Sequence, residues 1–138
     1  MKKYTFSTLV LLIIVLLGSC KKETKPKVYL GNPNGDSELA LLMRQMYDET
    51  QKIKQGESSM ALNFSPESIF TAQATDPKKA ASEQYKVLGT AYVNSVKNYH
   101  KAADTDRDQA YEQMIGACEN CHQALCPGPL VKVKKLYK

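Results

Sequence analysis

The chain has 138 residues, with 19 Lys and Arg against 14 Asp and Glu for a net charge of +5, four Cys, two His, five Met and no Trp. That length holds one small domain rather than two. The positive excess is too mild to argue for a nucleic-acid partner, and it is uneven: Lys21, Lys22, Lys25 and Lys27 lie near the start, and Lys132, Lys134, Lys135 and Lys138 at the end.

Lys2 and Lys3 precede the apolar run Leu9 to Leu17, followed by Gly18, Ser19 and Cys20. This basic, apolar, small-residue order is the layout of an export signal over residues 1–19. The run is shorter than the roughly 20 apolar residues a spanning helix needs. Leu17-Gly18-Ser19-Cys20 resembles a bacterial lipobox. The resemblance implies cleavage before Cys20, lipid on that cysteine, and an exported protein tethered to a bacterial membrane on its periplasmic or cell-surface side. Cleavage would remove Lys2 and Lys3 and lower the charge to +3. Residues 20–35, with two Pro, two Gly and two Asn, read as a flexible tether. A domain over 36–126 and a basic strap over 127–138 follow.

Helical periodicity dominates the domain. Asp36 is a good N-cap type, and Leu39, Leu42, Met43, Met46 and Ile53 form one stripe that runs to Gly56. A second, shorter helix is expected from Ser65-Pro66, since Pro suits the first helical position, with Ile69, Phe70 and Ala74 as its apolar residues. Asp76-Pro77 repeats the start signal. Ala81, Tyr85, Leu88, Tyr92, Val96 and Tyr99 then give the longest helix, ending near Ala103. Thr105 with Asp108 is close to a capping box. It opens a fourth helix with the stripe Tyr111, Met114, Ile115, Cys118, His122 and Leu125, which Pro127-Gly128-Pro129 ends. Four helices with short connections predict an all-α, antiparallel up-down-up-down bundle. Its apolar supply is thin enough for a buried aromatic cofactor to complete the core.

The chemistry is concentrated in Cys118-Glu119-Asn120-Cys121-His122, which has the C-x-x-C-H form of a c-type haem attachment site. Thiols three residues apart on a helix can each add to one porphyrin vinyl group, and the next residue then offers imidazole to the iron. The three side chains share one side of the helix. Three other readings compete, one of them an accidental or structural pair of thiols. A thioredoxin-like site would follow a strand in a βαβ pattern, and no strand precedes this one. A zinc site from Cys118, Cys121, Cys126 and a His would place on one helix what zinc sites usually divide between two separated groups.

A C-x-x-C-H near the C-terminus of an exported four-helix pattern resembles the class II c-type cytochromes, which include cytochrome c′ and the low-spin, methionine-ligated members. The resemblance implies one covalent haem c between the helices, with thioethers on Cys118 and Cys121 and His122 as the proximal iron ligand. It also implies a distal residue from the first helix, where Met43 and Met46 stand. Family members often carry Arg-Gln with a Met four residues after the Arg; here Arg44-Gln45 runs directly into Met46 and Asp48 holds the expected position. At 100° per residue, Met46 lies about 20° from Leu39 and Met43 about 40° to the other side, which favours Met46.

His100, the other imidazole, sits by the turn between the third and fourth helices, roughly 20 Å of helix rise from His122. Tyr85, Tyr92, Tyr99 and Tyr111 could line a haem pocket, though a tyrosine stripe at helical spacing is first of all core. Cys126 is the odd thiol. The expected function is a membrane-tethered, monohaem electron carrier with His/Met-ligated iron that transforms no substrate. The alternatives are a five-coordinate NO-binding protein and a zinc- or redox-active binding lipoprotein. Expected partners are a redox protein and the membrane through the N-terminal lipid, with a homodimer allowed and nucleic acid excluded.

Overall fold

The computed structural model describes residues 36–57 and 64–138. Contacts divide the chain into two compact units, Met1–Asn32 and Pro33–Lys138, and every described residue belongs to the second. The expected signal peptide 1–19, the tether 20–35 and the lipid-bearing Cys20 lie outside the described residues. Within them the fold is all-α, with five α-helices, two short 3-10 helices and no strand. No described helix is long and apolar enough to cross a membrane.

Helix α1 (Glu38–Lys54) is capped by Ser37, whose hydroxyl accepts from the amide of Ala40 at 3.2 Å. Asp36, expected to cap, instead holds Arg44 two turns along through a bidentate pair, with Nη2 to Oδ1 at 2.6 Å. Fork-to-carboxylate pairing is among the stronger polar contacts, and a serine one residue on can serve the helix end. At the other end Gly56 takes φ +75°. The amide of Gly56 donates to the carbonyl of Ile53 at 3.0 Å, and that of Glu57 to Lys52 at 2.9 Å. That is a Schellman ending, in which only glycine turns left-handed without strain.

The expected second helix is a single 3-10 helix, Pro66–Phe70. Tertiary hydrogen bonds win over continuation: the carbonyl of Gln73 accepts from the amide of Leu39 at 3.0 Å, and its amide donates to Glu38 Oε2 at 2.9 Å. The first turn of α1 has orphan amides that need such partners. The expected third helix is also divided. Asp76 caps a single turn, α2 (Pro77–Ala80), accepting from the amide of Lys79 at 3.0 Å. Ser82 then donates to the Lys79 carbonyl at 2.7 Å and accepts from the amide of Tyr85, restarting the chain as α3 (Glu83–Lys101).

The last long helix, α4 (Arg107–Leu125), starts without the expected capping box. Thr105 donates to Asp106, and the Asp108 carboxylate is taken by Lys138 Nζ. Tyr99 near the end of α3 meets Tyr111 near the start of α4 edge-on at 6.3 Å, so the two helices form an antiparallel hairpin.

The strap expected beyond residue 126 belongs to the core. Helix α5 (Leu130–Val133) and the 3-10 helix Lys134–Leu136 return along α4, burying Val133 and Leu136. The hydroxyl of Tyr111, wholly buried, donates to the Leu136 carbonyl at 2.7 Å. Tyr137 reaches Glu119 at 2.7 Å, and Lys54 Nζ donates to the Lys135 carbonyl at 2.9 Å.

Burial is uneven along the helices. In α1 the buried residues are Met46, Glu49, Thr50 and Ile53, in its second half; in α4 they are Ala110, Tyr111, Met114 and Ile115, in its first half. The complementary halves, with Leu39, Leu42, Met43 and Cys118, pack on the core only partly buried. Among the described residues, one end of the helix assembly is closed and the other is thinly filled. Tyr111→Phe should lower stability by about 1–3 kcal/mol, because the buried Leu136 carbonyl loses its donor. Urea unfolding measures the loss, and faster amide exchange over residues 134–138 should accompany it.

Candidate functional site

At the thinly filled end the helices enclose an apolar pocket lined by Met43, Met46, Ile69, Tyr85, Gly89, Tyr92, Cys118, Cys121 and His122. Its non-atom space is about 350 Å³, a figure that includes open solvent at the mouth. Methionines from early in α1 meet a cysteine and a histidine from late in α4, so α1 and α4 run antiparallel here, as do α3 and α4 where Tyr85 meets Cys121. The five residues singled out from sequence, Cys118, Cys121, His122, Met43 and Met46, all reach this one pocket.

Helix periodicity explains the α4 side. Cys118 and Cys121 are one turn apart and His122 follows, so each faces the gap that Tyr111, Met114 and Ile115 fill lower down. Burial pushes the Cys118 thiol up to about 12 and, less strongly, the Cys121 thiol to about 11, with each raised further by a neighbouring cysteine. Both are neutral thiols at ordinary pH. Among the described residues Cys118, Cys121 and Cys126 are free of disulfides.

His122 Nδ1 lies 3.2 Å from the carbonyl oxygen of Cys126. With its proton on Nδ1 the ring donates to that carbonyl, which can only accept, and keeps a lone pair on Nε2. A donor bond from the far nitrogen is how ligand histidines are commonly held. Cys126 Sγ stands 3.4 Å from the same Nδ1, but the residue is exposed and does not line the pocket.

The α1 side offers two thioethers of different burial: Met46 is 7 % exposed and Met43 is only partly buried. Both line the pocket, so the geometry brings forward both candidates.

The tyrosine stripe divides between two jobs. Tyr85 and Tyr92 line the pocket, whereas Tyr99 and Tyr111 lie in the closed core. Tyr85 donates its hydroxyl to the Ile69 carbonyl at 2.7 Å, and burial raises it to about 12. That bond pins the Pro66–Phe70 turn against α3. His100 stays outside the pocket lining and packs edge-on against Tyr99 at 5.7 Å.

Ile69 and Gly89 were not singled out from sequence as pocket residues. A Cβ on Gly89 would stand 2.7 Å from Phe70 Cε1 and 3.1 Å from Ile69 Cδ1, so the missing side chain is what lets the turn close on α3. A glycine inside a helical pattern costs about 1 kcal/mol against alanine and so points to a close approach. Ile69 carries no comparable mark.

The residues that could hold a haem are two thiols, an imidazole and two thioethers, in a pocket whose wall is apolar. Among the described residues no group of three or more His, Cys, Asp or Glu is placed to hold a metal ion.

Alkylation of the haem-free chain reads these environments. The thiolate is the reactive form, so raised thiols react slowly at pH 8. Exposed Cys126 should label first, Cys121 next and Cys118 last, with Cys118 accelerating only as the pH approaches about 12. Peptide mass mapping over time gives the order. No protein-family model, curated protein or solved structure matches the chain.

Proposed function

We propose that the chain is a monohaem c-type cytochrome of class II type, acting as a membrane-tethered electron carrier. The observation that carries the reading is the convergence of Cys118, Cys121, His122, Met43 and Met46, from opposite ends of the sequence, on one apolar pocket. The C-x-x-C-H spacing and the thinly filled end of the core support it independently.

In this reading Cys118 and Cys121 would hold the haem through thioethers and His122 Nε2 would bind the iron, with Nδ1 donating to the Cys126 carbonyl. Met46, the more buried thioether, would be the second protein ligand, with Met43 as the alternative. When bound, haem supplies one-electron exchange between ferrous and ferric iron, and methionine ligation raises its potential. Ile69, Tyr85, Gly89 and Tyr92 shape the wall and limit water. Tyr85 keeps its proton and its bond to the turn, so the wall stays uncharged at ordinary pH. The architecture that accompanies the function is the antiparallel four-helix bundle, with the Pro66–Phe70 turn standing for its second helix. Export, lipid on Cys20 and a redox-protein partner complete the proposal.

Exported protein made with a haem-attachment system should gain the mass of one haem that survives denaturation. Cys118→Ser with Cys121→Ser should lose that mass, and no covalent haem on the native chain would end the reading. In the loaded protein Met46→Ala should lower the reduction potential and admit carbon monoxide to the ferrous form. If Met43→Ala does so instead, Met43 is the ligand. Carbon monoxide binding by the native ferrous protein would move the assignment to gas binding.

A further inference from the structure

The C-terminal strap has two faces of opposite character. Inward, Val133 and Leu136 are buried, Leu130 and Tyr137 are half-buried, and the backbone is held by Tyr111 at Leu136 and by Lys54 at Lys135. Outward stand Val131, Lys132, Lys134 and Lys135, all exposed. Val131 is 71 % exposed, the highest value for a large apolar side chain among the described residues. Lys134 has only a 3.8 Å approach to Glu119, and among the described residues Lys132 and Lys135 have no carboxylate partner.

We propose that this outer face, Val131 with Lys132, Lys134 and Lys135, docks on an anionic lipid surface. Three exposed lysines within four residues of sequence meet phosphate headgroups by charge, and an exposed valine next to them in sequence offers a small apolar contact at the headgroup boundary. An acidic protein would match the lysines but gives no account of the valine. The inner face fixes the strap, so binding orders little that is not already ordered. Lipid on Cys20, if present, keeps the membrane at high effective concentration, and a weak contact then suffices. The proposal is separate from the haem reading and stands or falls without it.

Hydrogen exchange of the full chain with vesicles tests it, because the readout is local and does not depend on how the N-terminus binds. On phosphatidylglycerol-containing vesicles the amides of residues 130–136 should slow several-fold. The slowing should be absent on phosphatidylcholine alone and should vanish at about 0.5 M salt, where screening is within a few ångströms. It should also vanish with Lys132→Glu and Lys135→Glu, both exposed and compatible with an intact fold by circular dichroism. No slowing on anionic vesicles would overturn the proposal. So would equal slowing on neutral ones, or slowing by polyglutamate but not by vesicles.

Discussion

Packing in this molecule is decided by where large side chains run out. At the closed end Tyr99, Tyr111, Met114, Ile115 and Val96 are almost completely buried, and the returning strap adds Val133 and Leu136. At the other end the same three long helices continue, but beside Tyr85 and Tyr92 the pocket is lined by Met43, Gly89, Cys118 and Cys121, which are flexible or small. Interiors tolerate few voids, because each lost contact removes dispersion energy and exposes apolar surface.

The polar contacts divide along the same line. Around the closed end they tie elements together: Tyr111 to Leu136, Tyr137 to Glu119, Lys54 to Lys135. At the pocket they hold the frame and leave the donors free. Tyr85 spends its hydroxyl on the Ile69 carbonyl, and His122 spends Nδ1 on Cys126. What lines the pocket beside aromatic and aliphatic carbon is cysteine and methionine sulfur and the His122 ring. Those are donors a soft or borderline metal centre takes readily and water does not.

Much of this was legible in the residues. Stripes of period 3.6 located the three long helices to within a few residues, and the C-x-x-C-H spacing with the methionines of the first helix named five of the nine pocket-lining residues. Most of the misses trace to side chains and backbone groups taken by partners other than the expected ones. Asp36 left its cap for Arg44, Asp108 left its cap for Lys138, and Gln73 spent its backbone on the start of α1 instead of extending a second helix. Ser82, unremarkable in sequence, interrupts what periodicity joined. The strap looked like a solvated tail because its lysines outnumber Val133 and Leu136, yet those two apolar residues three apart decide its position.

The most direct measurement is the optical spectrum of haem-loaded protein, oxidised and dithionite-reduced, extended into the near infrared. Ligation by His122 and a methionine predicts sharp α and β bands on reduction and a weak near-infrared band in the ferric form, all lost in His122→Ala. A native chain without covalent haem, or a His122→Ala spectrum and redox wave identical to native, would contradict that ligation.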